Sequence, residues 1–355
     1  MAKFLAKNLK AGVILLAALA LLAIRLQRNN ENPNPKEAIR TVEITYSLII
    51  RDIPERAEDV RVWVPVPPTN KHQKLLSLDI PGDMPYQMLN EPEYGNQFLV
   101  FDLTDISLFE TSQVGLDVNF LVTRRAIRPL LKNSSANSTA QRQLVRFLAA
   151  DRLVPIGGKI AEEAHSTAGN TWKPLQQSRL LYDHIVSSIS YDKSGTGWGR
   201  GDALYACNIR KGNCTDFHSL FIAQSRALGI PARFIMGLSL PEEKREGTIA
   251  GYHCWAEFYL SDKGWIPIDA SEASKYPEKK EQYFGGLDEH RIAFTLGRDI
   301  KLPGSAAEPV NYVIYPYVEI DGLSHSNIQT TFYFKDYPLR NRAIEKLPSS
   351  KVSIN

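Results

Sequence analysis

Acidic residues are missing from the first 28 positions of this 355-residue chain, where Lys3, Lys7, Lys10, Arg25 and Arg28 stand without a counter-charge. That bias accounts for the formal net charge of +3; the rest of the chain is slightly negative, a balance that excludes a basic nucleic-acid binder. Cysteine is scarce too. Cys207, Cys214 and Cys254 are too few for a disulfide scaffold, and an odd count leaves at least one thiol unpaired within the chain. A Cys207–Cys254 disulfide is compatible with an oxidising compartment and would leave Cys214 free. No Cys-x2-Cys pair occurs, so a zinc site drawn from Cys207, Cys214, His218, His253 and Cys254 lacks the usual ligand spacing, and neither a metal nor another cofactor is expected.

The apolar run Ala11–Ile24 has 14 residues, short of the about 20 a full membrane span needs. Lysines before it and Arg25-Leu26-Gln27-Arg28 after it make residues 1–26 an export signal, either removed or kept as a short signal anchor. The expectation is an exported, periplasmic or otherwise extracytoplasmic protein, held at the inner membrane by this segment if it is uncleaved. Residues 27–38, rich in Asn and containing Pro33 and Pro35, read as a flexible tether. The chain as a whole is 43% hydrophobic in composition, and what remains is long enough for two domains.

Between residues 39 and 132 the pattern is that of strands. Thr41–Ile50, Asp59–Pro67, Gln97–Leu103 and Gln113–Val122 alternate or run apolar between Pro and Gly clusters, which implies a β-sandwich-like domain. His72, Glu91 and Glu93 fall in its loop segments and read as solvated surface. A small polar stretch, Asn133–Thr139, marks the boundary to a region expected to run to residue 335. Helices are expected over Ala140–Leu148, Gly158–Thr167 and Pro174–Ser188, with His184 a core histidine on the last of these. Val310–Ile320 and Thr330–Phe334 read as closing strands of the same region. His290 among charged neighbours reads as surface, and 336–355 as a polar tail.

Gly212-Asn213-Cys214-Thr215-Asp216-Phe217-His218 opens the most informative helix. Apolar residues recur through Leu228, Gly229 suits a left-handed cap and Pro231 forbids continuation, so Cys214 lies in the first turn. Unpaired N–H groups at a helix start favour an anion, and the thiolate is the nucleophilic form of cysteine. Downstream, Ala250–Leu260 and Gly264–Ala270 read as two strands joined by the turn Ser261-Asp262-Lys263-Gly264, which places His253 and Asp269 side by side. Alternation sends His253, Trp255 and Glu257 to one face and Cys254, Ala256 and Phe258 to the other. Nucleophile, base and a carboxylate to orient the base are thereby supplied by Cys214, His253 and Asp269.

The blocks Lys211–Cys214 with Leu228–Arg233, Gly251–Glu257 and Gly264–Asp269 resemble the transglutaminase-like superfamily of papain-like cysteine enzymes, in its bacterial exported branch. The resemblance covers roughly 176–274. It implies an α+β chain, a papain-like catalytic core whose nucleophile helix packs on an antiparallel sheet, preceded by the β-sandwich-like domain. It further implies acyl transfer on an amide or peptide bond of a protein or peptide substrate, with hydrolysis favoured over transamidation. Candidates for a second oxyanion donor or the substrate groove are Tyr191, Trp198, Asn213 and Trp255. One departure stands out: Asp269-Ala270-Ser271 occupies the place where the family often has Asp-Pro-Thr.

Overall fold

Alternation decides the first strand: Val42, Ile44, Tyr46, Leu48 and Ile50 point inward and are fully or almost fully buried, while Glu43 points to solvent. The computed structural model describes residues 38–104, 112–128 and 144–338; the expected export signal, the tether, the polar linker and nearly all of the tail lie outside the described residues. No described helix is long and apolar enough to cross a membrane. The described residues from Ile39 onward form one compact unit.

In chain order the strands before the helices are β1 (Ile39–Arg51), β2 (Val60–Pro65), β3 (Gln73–Asp79), β4 (Tyr86–Asn90), β5 (Gln97–Asp102) and β6 (Gln113–Arg125). Of the helix expected at 140–148, residues 140–143 lie outside the described residues, Leu144 is helical and Val145–Leu148 form a 3-10 turn. Helices α1 (Lys159–Ala168) and α2 (Pro174–Ser188) follow, then β7 (Ser190–Tyr191), α3 (Ala203–Ile209), β8 (Lys211–Gly212) and α4 (Cys214–Ala227). The remainder is β9 (Ala232–Ser239), β10 (Glu246–Ile249), β11 (Tyr252–Leu260), β12 (Gly264–Ile268), α5 (Ala270–Lys275), β13 (Arg291–Leu296), β14 (Tyr317–Ile320), β15 (Leu323–His325) and β16 (Ile328–Asp336).

Two five-stranded sheets, β10-β16-β1-β6-β3 and β15-β14-β2-β5-β4, make the sandwich. Val60, Val62 and Val64 of β2 and Leu99 and Phe101 of β5 share one apolar core with the inward residues of β1 and β6. The closing strands differ from expectation. β14 pairs antiparallel with β2 and β16 with β1, so both ends of the described chain build the sandwich, and the strands expected to complete the catalytic part do not join its sheet.

Two further differences follow from strands hidden in the supposed loops. β3 begins directly after His72, and Glu91, one residue past β4, is 1% exposed. The Glu91 carboxylate accepts the N–H groups of Glu93 and Tyr94 and the Asn96 amide, which closes the turn into β5. His184 is half-buried and lies 3.1 Å from Glu163, and His290 Nδ1 faces Arg40 at 2.9 Å, so neither is a plain core or surface residue.

The sheet expected to be catalytic, which carries His253, is the antiparallel β12-β11-β9-β13. Helix α4 packs on it and is buried on every side, polar residues included, so those must find partners inside. Gln224 donates to Glu163 at 2.9 Å, and Arg226 meets Asp151 at 2.6 Å and the Ala232 carbonyl at 3.0 Å.

Candidate active site

A capping box starts α4 at Cys214. Asn213 Oδ1 accepts the Thr215 N–H at 2.9 Å, and the Asp216 carboxylate reaches back to the Asn213 N–H at 2.9 Å. Asp216 also accepts the N–H groups of Gly199 at 2.7 Å and Gly201 at 3.1 Å, although burial pushes its pKa above the ordinary carboxylate value. The loop 195–201 needs its glycines because Gly195, Gly197, Gly199 and Gly201 all take left-handed φ. Arg298, 1% exposed, clamps the other side of the loop through the Gly201 carbonyl at 3.1 Å and Ser219 Oγ at 2.6 Å. These contacts fix the thiol in place and leave the Cys214 N–H outside the capping pairs, at the positive end of the helix.

β11 and β12 pair in antiparallel register, Ala256 opposite Ile268, so Asp269 leaves β12 alongside His253. Asp269 caps α5, its Oδ1 accepting the Glu272 N–H at 3.0 Å and the Ser271 hydroxyl at 3.1 Å. Its Oδ2 lies 2.6 Å from His253 Nε2. Burial opposes ionisation of Asp269, but His253 and then Arg291, 3.5 Å away, hold its carboxyl well below the usual range. Burial likewise opposes a charged His253, and Asp269 overcomes it, raising His253 to about 9. With Nε2 committed to Asp269, Nδ1 is the nitrogen left for the hydrogen bond with Cys214.

A hydrogen bond with the Cys254 thiol, more than any other contact, holds Cys214 well below the ordinary thiol range; burial opposes the shift and the bond with His253 adds to it. Burial, followed by Cys214 itself, pushes Cys254 well above that range. A thiolate on Cys214 paired with an imidazolium on His253 is the charge state these contacts favour.

His218, one turn along α4, supports the group from behind. Its Nε2 accepts the Ala270 N–H at 3.1 Å, which assigns the proton to Nδ1, 3.5 Å from Cys254 Sγ. Burial lowers its basicity, so it is neutral, 3.6 Å from Asp269. The Ala270 N–H gives a physical meaning to the departure at Asp269-Ala270-Ser271, because a proline there has no proton to donate.

All three cysteines are free: Cys207 donates to Glu163 at 3.2 Å while Cys254 faces Cys214 and His218, so the Cys207–Cys254 disulfide does not form. Tyr191 is half-buried beside the thiol, feels the Cys214 charge and has the Lys275 ammonium 3.7 Å from its ring centroid. Asn213 is a capping residue whose remaining amide donates to the Tyr252 hydroxyl at 2.9 Å, and Trp198 spends its Nε1–H on the Gly195 carbonyl at 3.1 Å. The Trp198 donor is thereby engaged, as is one of the two Asn213 amide hydrogens. Trp255 is 1% exposed, with its ring 6.4 Å from that of His253. Sequence reasoning missed Arg291, Tyr252 and the role of Cys254. Arg291 comes from a separate strand, and Cys254 follows His253 on a strand where alternation sends it to the other face.

Residues 161–270 match the family model described as the transglutaminase-like superfamily. An uncharacterized protein of Haemophilus influenzae is 26% identical over 353 aligned residues, covering 87% of this chain and 94% of its own length. Protein YebA of Bacillus subtilis is 29% identical over 113 residues, 28% of this chain and 15% of its own. Among solved structures, a candidate cysteine protease from Cytophaga hutchinsonii shares the fold with a TM-score of 0.56 and 17% identity, over 84% of this chain and 92% of that one.

Proposed function

We propose, starting from the match of residues 161–270 to the transglutaminase-like superfamily model, that this chain is a cysteine enzyme that cleaves an amide or peptide bond through a thioester on Cys214. The observation that carries the reading is the run of contacts from the Cys214 thiol through His253 to Asp269, with the His253–Asp269 bond at 2.6 Å. Cys214 Sγ attacks the acyl carbon and its electron pair forms the C–S bond. The carbonyl oxygen becomes an oxyanion facing the positive end of α4 and the Cys214 N–H. Collapse expels the amine, which takes its proton from His253 Nδ1. A water molecule then gives a proton to the same nitrogen and attacks the thioester, releasing a carboxylic acid. Asp269 holds the ring and balances its positive charge throughout.

Water as the acceptor is the simpler form of this chemistry, since transamidation requires a second, amine-binding cleft and exclusion of water. The test is a denaturing quench during turnover of amide-bearing peptides, read by mass spectrometry. An acyl adduct on Cys214 is expected, lost in Cys214→Ala while the far-UV spectrum is unchanged. Turnover by Cys214→Ala at the wild-type rate refutes the assignment. Adding a labelled primary amine separates the acceptors: incorporation of label in place of free acid would make the protein a transamidase.

The basic-flanked apolar run at 11–24 supports placement of this enzyme outside the cytoplasm. Sequencing the amino terminus of the mature protein distinguishes a removed signal from a retained anchor.

A further inference from the structure

On the face of β11 that carries Trp255, the sandwich and the catalytic sheet border a partly open cavity of about 590 Å3, a size suited to a small organic ligand. Its frame is clasped at two points. Gln73 donates to the Ala293 carbonyl at 2.9 Å and accepts the Ala293 N–H at 2.8 Å. Asn96 does the same to Leu296, at 2.8 and 2.7 Å. Each amide thus ties a sandwich segment to β13 through both of its polar atoms, which makes the cavity part of the fixed architecture.

Its lining is chemically divided. Trp255, Phe294 and Ile235 form an apolar wall, and Arg124, His72 and Lys71 stand among the polar residues. Arg124 is 3% exposed, yet its Nε has no hydrogen-bond partner among the described residues, and neither does the buried His72 Nδ1. The two carboxylates that act on it, Glu257 and then Asp288, are already ion-paired, with Arg233 at 2.6 Å and Arg291 at 3.2 Å, and the Arg233 guanidinium lies 3.9 Å from the Trp265 ring centroid. A buried guanidinium without a full partner is costly, and native structures keep unpaired buried polar groups rarely and for a reason.

We propose that this cavity binds a small organic monocarboxylate, its carboxylate against Arg124 with His72 and Lys71 beside it and its apolar body along Trp255 and Phe294. Guanidinium and carboxylate match in charge and in fork geometry. Glu257 in the same wall disfavours a second negative charge on the ligand, which selects a carboxylate over a phosphate monoester.

Isothermal titration of the full chain with 3-phenylpropionate and hexanoate, with their primary amides and with phenyl phosphate, tests this. Wild type is expected to bind at least one of the two acids, and to prefer that acid to its amide by about tenfold or more. Arg124→Met is expected to lose the preference, and Arg124→Lys to keep it. Ligand-free Arg124→Met should melt no lower than wild type, because an unpaired buried charge has been removed. The proposal is overturned if wild type prefers neither acid to its amide, if the preference survives in Arg124→Met, or if phenyl phosphate binds more tightly than both acids. The wild-type comparison decides even if the methionine variant does not fold.

Discussion

Replacing Asp269 by Asn removes the charge that keeps His253 protonated while retaining a side chain of similar shape. In the wild type His253 titrates near 9 against an ordinary value of 6.5, a difference of about 3 kcal/mol in favour of the imidazolium. In the variant burial and Arg291 still oppose the charged ring and the Cys214 bond is what remains in its favour, so the ring is expected to fall to about its ordinary 6.5. At pH 8 the imidazolium share then falls from about nine tenths to about 3% or less, roughly a thirty-fold loss in the form able to protonate the leaving amine. Loss of the ring's orientation adds to this. The assay is the pH dependence of kcat/KM on a peptide amide, with the His253 ring followed by NMR in parallel. Wild type should show an alkaline limb near pH 9, a property of the coupled thiol–imidazole pair. In Asp269→Asn the limb should move down by at least two units. An alkaline limb that stays near pH 9 in the variant refutes the reasoning, because Asp269 would then not set the proton affinity of the base.

The same charges predict how stability depends on pH. Stabilisation from the raised His253 is complete below pH 6.5 and is lost as pH rises through about 9, whereas that from the depressed Cys214 is present above its unfolded value and lost as pH falls. Between pH 6.5 and 9 the two slopes offset, so the wild-type Tm should be flat there and that of Cys214→Ala should fall, as calorimetry can check. Ala270→Pro strands the buried His218 Nε2 without its donor and should cost about 1–3 kcal/mol in denaturant unfolding; a fully stable variant would show that the contact carries no energy. Gly212→Ala sets a Cβ 2.6 Å from Asp216 Cβ, and about 1–3 kcal/mol of overpacking plus slowed Cys214 alkylation is expected. Unchanged stability and thiol reactivity would mean that Asp216 does not hold the nucleophile loop.

Cys214, His253 and Asp269 were legible in the sequence because each sits at a position whose local pattern is decided locally: a helix start, a strand and a strand end. α4 and the β11–β12 hairpin came through for the same reason, and so did the inward alternation of β1. Long-range pairings were not legible. β16 lies beside β1 because of a match between two apolar faces nearly 300 residues apart, and no short pattern encodes it. Nor does sequence spacing bring Arg291 to Asp269 or give the Ala270 N–H to His218, since both contacts depend on how α5 and β13 pack. β3 and β4 escaped notice because their residues are mostly exposed or half-buried, so they carry little of the alternation that marks β1 and β6.

The pairing of β1 with β16 also has a consequence in time. A chain made at 5–20 residues per second completes β1 about 15–55 s before the last residues of β16 exist. Once β6 is made, β1 has it on one flank and an open row of backbone donors and acceptors on the other until β16 arrives. The nucleophile helix and the His253–Asp269 hairpin are all synthesised within this window. Every newly made molecule therefore carries the parts of its reactive centre before its sandwich can close, and a holding chaperone that masks strand edges would meet this protein at β1.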